Sequence, residues 1–145
     1  MNISIRTGTI EDALEVQRQI PEFRDAYSKQ EYCKRLVDKH HLILIAYSNG
    51  EAVGYKVGYQ LQDDVFYSWM GGVLKSHRGK HVAQKLAAHQ ENWAKSHGFT
   101  AIRFKTRNHL KGMLIFSLKN GFDIIGVEEK AYPRADYRVI LEKDL

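Results

Sequence analysis

Apolar residues recur along this chain with two periods, and the switches between the periods mark out its elements. Ile3 and Ile5 alternate with polar neighbours, the pattern of a short first strand. Ile10, Ala13, Leu14, Val16 and Ile20 follow at helical spacing behind Thr9, and Thr9 ahead of Glu11 and Asp12 is a helix start. Pro21 ends that helix. Ser28 and Glu31 form an S-x-x-E capping box, which predicts a second helix over Lys29–Lys39 with Tyr32, Leu36 and Cys33 inward.

His41–Ser48 is β-branched and aromatic, and Asn49-Gly50 after it is a hairpin turn signal. Val53, Tyr55, Val57, Tyr59 and Leu61 then alternate with Gly54, Lys56, Gly58 and Gln60, which predicts one apolar and one polar face. After a turn at Gln62-Asp63-Asp64, Val65–Val73 is apolar on both faces and reads as a central strand. Gly71-Gly72 within it points to a bulge, with close packing against a helix as the alternative. Val82, Leu86, Gln90, Trp93 and His97 predict a helix that stops at Gly98, and Thr100–Thr106 a strand parallel to Val65–Val73. Asn108 is placed to cap a further helix carrying Leu110, Met113, Leu114 and Leu118 and ending at Asn120-Gly121. Strands at Phe122–Glu128 and Tyr137–Leu141 complete the chain. No repeat or linker divides it, so residues 1–145 read as a single domain.

The stretch with the most chemistry joins the central strand to the helix after it. VLKSHRGKHVAQKL carries a basic turn straight into a helix start, where unpaired backbone N–H groups and the helix dipole favour an anion. Arg78 and Lys80 add positive charge there. Other phosphate-binding signatures are missing: the chain has no G-x-x-x-x-G-K-[ST] and no G-x-G-x-x-G after a first strand.

This stretch resembles motif A of the GCN5-related N-acetyltransferase (GNAT) superfamily, a strand-end valine followed by Q/R-x-x-G-x-G/A opening a helix. Val73 matches the valine, and Arg78, Gly79, Lys80, His81, Val82 and Ala83 fill the six motif positions, with His81 where the family has glycine. Asn108 and Gly121-Phe122 resemble the family's N-(x)n-GF ending, so the resemblance covers nearly the whole chain. It implies an α/β fold with a mixed, mostly antiparallel sheet, helices on both faces and a splayed central strand pair. It also implies acetyl-CoA as co-substrate, held by Gly72, Val73, Leu74, Lys75, Arg78, Gly79, Lys80, His81, Val82, Ala83, Gln84 and Asn108. His81 is expected to take helical dihedrals and point outward.

The implied reaction is acyl transfer to a small-molecule or peptide amine by direct attack on the thioester. The connection PEFRDAY lies where the family bounds its acceptor site, so Glu22, Asp25 and Trp69 are candidate acceptor contacts, the two carboxylates suiting a cationic amine. The family's usual glutamate before the motif is replaced by Trp69, and its usual tyrosine acid by Ser117. Tyr67 and Ser117 are therefore the candidate catalytic side chains, with water leading to Asp63, Asp64 or Glu22 as the route for the proton. A CoA-binding module without catalysis and a small basic nucleic-acid-binding domain are the rival readings.

Bulk properties narrow the choice. A net charge of +5 and a pI of about 9.3 suit an anionic ligand such as CoA, while no aromatic–basic repeat supports nucleic acid as a partner. MNISIRTGTIED is polar and acidic where a signal peptide would be apolar, so no leader is expected, and no apolar run approaches the length needed to span a membrane. One cysteine, Cys33, fits a reducing cytoplasm and reads as a small core residue. Seven histidines show no metal-ligand spacing, so no metal is expected. A homodimer is compatible with all of this.

Overall fold

A computed structural model describes residues 2–23, 26–129 and 133–145. Seven strands form one sheet in the order β1-β2-β3-β4-β5-β7-β6. β1 (Ile3–Thr7), β2 (His41–Ser48), β3 (Glu51–Gln62) and β4 (Val65–Val73) follow one another as antiparallel neighbours. β5 (Ala101–Arg107) is parallel to β4, and β7 (Arg138–Asp144) inserts antiparallel between β5 and the edge strand β6 (Asp123–Glu128). The mixed, mostly antiparallel sheet expected from the sequence is thus present, with the parallel pair at its centre.

α1 (Ile10–Arg18) and α2 (Lys29–Leu36) lie on one face. Thr9 opens α1 with a complete capping box: its hydroxyl accepts from the Asp12 N–H at 3.2 Å, and the Asp12 carboxylate accepts from the Thr9 N–H at 2.9 Å. Ser28 caps α2, but the Glu31 carboxylate turns to Arg35 at 2.9 Å instead of reaching back, and the helix ends at Leu36, short of the predicted Lys39. α3 (Val82–Ser96) covers the opposite face with Val82, Leu86, Gln90 and Ala94, one residue per turn, and Gly98 leaves it at φ 90°. α4 (Lys111–Lys119) buries only Ser117. Among the described residues no helix is long and apolar enough to cross a membrane.

Of the four register shifts between the described strands, the three that involve β3 decide which face the residues of β3 and β4 meet, and none follows from alternation alone. Val53 is the extra residue where β3 slips against β2, so it joins the α3 cluster while Tyr55, Val57 and Tyr59 pack under α1 and α2. Leu61 is the extra residue at the far end of β3 and is exposed. The third shift corrects the expectation at Gly71-Gly72. Val57 pairs with Met70 and Gly58 with Ser68, so the bulge is at Trp69, and the two glycines pair regularly with Lys56 and Tyr55. Gly72 is glycine because the α1 side comes too close: a Cβ there would stand 2.8 Å from Ile20 Cδ1 and 3.0 Å from Phe23 Cε2. The bulge also reverses the parity of the strand, which turns Val73 onto the α3 face.

Candidate active site

The parallel pair β4–β5 makes only three rungs, Val65–Ala101, Phe66–Ile102 and Tyr67–Arg103. β4 runs on to Val73 and β5 to Arg107, and β5 stays paired to β7 through all seven of its residues. The two strands therefore part beyond Tyr67 and Arg103, immediately before the bulge at Trp69, and leave a gap that widens toward Val73. The splayed pair implied by the resemblance is present.

The wide end of the gap is closed by the basic stretch. A single 3-10 turn at Lys75–His77 leads into a turn at 78–81 and then α3. Gly79 and His81 both have positive φ, 76° and 65°. Alternating left-handed residues at a helix start turn successive N–H groups to one side, an arrangement that suits an anion. No side chain caps α3, so its first amides are not satisfied from within the helix. His81 corrects the expectation for that position: it is left-handed, not helical, and its Nδ1 lies 3.1 Å from Gln84 Oε1. Histidine is among the side chains that tolerate this region. Lys75, Lys80, Ala83 and Gln84 are exposed around the turn.

Arg78 does not hang free over this turn. Its Nε donates to the Val73 carbonyl at 3.1 Å, and its other end donates to Glu22 Oε2 at 2.8 Å. It ties the turn to the end of β4 and to the segment after α1. That contact holds the Glu22 carboxyl below its usual range. Leu74 N–H bonds back to the Val53 carbonyl at 2.8 Å, which extends β4 against β3. Asn108 corrects its predicted capping role, since α4 starts at Lys111 behind Leu110. Its amide instead donates to the Arg134 carbonyl at 3.2 Å, its Oδ1 accepts from Lys111 Nζ at 3.2 Å, and its N–H bonds the Tyr137 carbonyl, so it fixes the end of β5 to the chain entering β7.

On the α1–α2 side of the gap an aromatic group gathers at the bulge. Trp69 is 4.7 Å from Tyr27, 4.8 Å from Tyr32 and 6.1 Å from Tyr59 between ring centres. Arg35 stacks over Trp69 at 4.5 Å and donates to the Tyr59 hydroxyl at 3.0 Å. Tyr67 stands edge-on to Tyr59 at 5.5 Å, and burial pushes its phenol up to about 12. The Tyr67 phenol is therefore a proton donor throughout the neutral range and not a base. The indole N–H of Trp69 is buried without an acceptor among the described residues.

The gap brings together Tyr67, Trp69, the β4 end and the basic turn, but not every candidate. Ser117 lies inside α4, and its hydroxyl donates to the Met113 carbonyl at 2.8 Å. Asp63 and Asp64 sit at the closed end of the pair, where the Asp64 carbonyl accepts from Thr100 N–H at 2.8 Å. Asp25 lies outside the described residues. Tyr27 ends the PEFRDAY connection expected to bound the acceptor site, whereas no motif points to Tyr32 or Arg35 as site residues. The signal available for Arg35 was its position one turn after Glu31 on a predicted helix.

The family profile described as "Acetyltransferase (GNAT) family" matches residues 9–122. No curated protein matches the chain by sequence. Solved structures share its fold at low identity. The PaiA N-acetyltransferase from Thermoplasma acidophilum, in complex with coenzyme A, superposes with a TM-score of 0.82 at 20% identity and covers 100% of both chains. A GNAT family acetyltransferase from Elizabethkingia anophelis with acetyl-CoA bound gives 0.82 at 18%, covering 99% of each. An IAA acetyltransferase from Bacillus cereus gives 0.83 at 17%, covering 99% of this chain and 100% of its own.

Proposed function

The chain belongs to the GNAT acetyltransferase family, and from that premise we propose that it transfers the acetyl group of acetyl-CoA to a primary amine, as one catalytic domain working in a reducing cytoplasm. The observation that carries this reading is the three-rung β4–β5 pair opening onto an uncapped helix start with two left-handed residues before it. A long ligand with an anionic middle fits such a shape: its thin arm lies between the strands and its phosphates meet the helix amides.

In this reading the amides of Gly79–Gln84 hold the pyrophosphate, while Lys75 and Lys80 supply mobile positive charge. Arg78 holds the turn in shape, since both ends of its guanidinium are engaged within the protein. Gly72, Val73 and Leu74 border the pantetheine arm, and Asn108 steadies the opposite wall. The neutral amine attacks the thioester carbon, the new C–N bond leaves the nitrogen positively charged, that nitrogen gives one proton to water as the C–S bond breaks, and the leaving sulfur takes one up. Tyr67 stands at the point of the gap with its phenol protonated, which suits it to donate toward that sulfur. Trp69, with Tyr27, Tyr59 and Arg35, forms the wall that an acceptor would meet. Cys33, on α2, lies outside both motifs, and transfer on this proposal is direct rather than through an acyl-enzyme.

Glu22 was a candidate for recognising a cationic acceptor; its carboxylate is already neutralised by Arg78, so the acceptor class rests on other groups. A small-molecule or peptide amine is the acceptor on this proposal. Calorimetry with acetyl-CoA and thiol release over an amine panel test it. Micromolar binding lost in Ala83→Asp, with turnover on at least one amine, is the expected outcome. Binding without turnover on any amine would instead favour a CoA-binding module, a reading that the lack of a carboxylate at the Trp69 bulge supports. Binding unaffected by Ala83→Asp would remove the pyrophosphate from this turn.

A further inference from the structure

The sheet face that carries Tyr67 and Trp69 is covered on one side of the gap and polar on the other. The apolar cluster under α1 and α2 draws on β2, β3 and β4 and takes no residue from β5, β6 or β7. Tyr67 pairs with Arg103 across the parallel seam, so Arg103, Lys105 and Arg107 present to the same face at every second position. β7 follows without a register shift, which sets Glu142, Ile140 and Arg138 opposite them. Most of the charge on this face is matched. Arg103 donates to Glu142 and Lys105 to Glu128, each at 2.9 Å, and across the gap Arg35 donates to Glu31 at 2.9 Å. Arg107 and Arg138 are different. They stand directly opposite each other in the β5–β7 pair, both exposed, and neither has an ion pair among the described residues. Asp136, close by in the chain, is with His109 at 3.7 Å. Like charges directly opposite on neighbouring strands cost stability, so this pair works against the fold.

Two guanidiniums held side by side present forked donors to one anionic group, a carboxylate or a phosphate. They stand on the far side of the gap from Trp69, and Arg107 lies beyond Arg103 on β5 by about 13 Å of strand. Their charge is felt at the reacting end: burial dominates the Tyr67 phenol, and the two cations that act against it are Arg35 and Arg138. Glu22, the described carboxylate expected to draw a cationic amine, is held by Arg78. Among the described residues, the unmatched charge on the acceptor side is therefore positive. We propose that the acceptor is a primary amine that also carries an acidic group, with Arg107 and Arg138 together binding that group and the amine reaching the gap beside Tyr67. This rests on the acetyl-transfer reading above and names the acceptor class for the same site. The phosphates of CoA are the other anions at hand, and the test separates the two.

Initial rates with matched amines test it: ε-aminocaproate and γ-aminobutyrate against their carboxamides, and O-phosphoethanolamine against ethanolamine. At least one acid should exceed its neutral partner in kcat/KM by about tenfold or more, the scale of a charged hydrogen-bonded contact. Arg107→Gln and Arg138→Gln should each bring that ratio close to unity, through KM rather than kcat, while acetyl-CoA affinity by calorimetry stays at the wild-type value. Both positions are exposed and each change removes a like-charge pair, so the urea midpoint should hold or rise. Binding of the same acids to the CoA-saturated protein, read by NMR shifts, needs no turnover. Acid binding that Arg138→Gln abolishes, in a protein that acetylates no amine, keeps this site and removes the transfer reading. Acetylation with equal use of acidic and neutral amines, or with a preference for diamines, keeps transfer and overturns the proposal. Loss of acetyl-CoA affinity in both variants assigns the pair to the CoA phosphates and also overturns it.

Discussion

Arg78 donates to Glu22 across 2.8 Å, although 56 residues separate them in the chain. The same guanidinium donates to the Val73 carbonyl. One side chain thus joins the basic turn, the end of β4 and the segment after α1, which are the three walls at the wide end of the gap. A planar fork can make both contacts at once, and a lysine ammonium cannot hold that geometry.

Arg78→Lys should therefore weaken acetyl-CoA binding by roughly fivefold to tenfold despite keeping its charge, a loss of about 1 kcal/mol or slightly more. Calorimetry on the purified variant checks this. Wild-type affinity in Arg78→Lys would mean that charge alone is what the position supplies.

His81 gives a prediction on stability. A left-handed residue with a Cβ carries about 1–2 kcal/mol of strain, and a β-branched side chain tolerates the region worst. His81 already carries that strain, so His81→Ile should destabilise the fold only by the added β-branched penalty, about 1 kcal/mol or less in urea unfolding, whereas His81→Gly should be neutral or slightly stabilising. His81→Gly should also bind acetyl-CoA within about threefold of wild type. Binding that arises only in the glycine variant would show that the imidazole blocks the turn.

Tyr67→Phe isolates the phenol. Turnover should fall by about tenfold to a hundredfold, at or below the range of a general acid. Burial puts this phenol at about 12, so the wild-type pH–rate profile should follow the amine substrate, with no Tyr67 ionisation near neutrality. A variant profile that loses a limb below pH 10 would contradict that assignment.

Lys56 supplies the pH prediction. It lies on the α3 face of β3, between Gly54, packed on Val82 and Leu86, and Gly58, packed on Phe66. Burial lowers its ammonium from 10.5 to about 8, with Glu91 opposing the shift. Below the lower value the lysine is charged in both states, and the folded state carries the full cost. Between the two values the unfolded chain binds more protons, so stability rises with pH. Lys56→Met should add about 3 kcal/mol at pH 7, and the gain over wild type should vanish by pH 10.5. Denaturant melts across pH measure it. A gain that does not change with pH would place its origin in packing.

What the sequence made legible was mostly local. Thr9 and Ser28 start helices where their capping patterns place them, Asn49-Gly50 turns β2 into β3, and the strand–helix–strand order predicts the parallel β4–β5 pair. The bulge at Trp69 was not legible, because β4 is apolar on both faces and a shift of register leaves no break in its pattern. Gly71-Gly72 drew attention two residues too late; Gly72 answers to Ile20 and Phe23, a contact between elements. Asn108 has the composition of a cap, yet the loop before β7 competes for its amide and wins. Arg35 over Trp69 joins α2 to β4 through space, and no spacing along the chain encodes it.

The brevity of the β4–β5 pairing also bears on how the protein comes apart. β3 and β4 share eight rungs and β5 and β7 share seven, against three at the centre. The sheet is two ribbons sewn together by a short seam, with α3 crossing from one to the other. Native-state hydrogen exchange should find β5, β6 and β7 opening as one cooperative unit, at lower free energy than the β2–β3–β4 ribbon. A ligand lying along the gap and bonded to both walls would act as the missing stitches, and would protect the C-terminal ribbon more than its own contact area suggests.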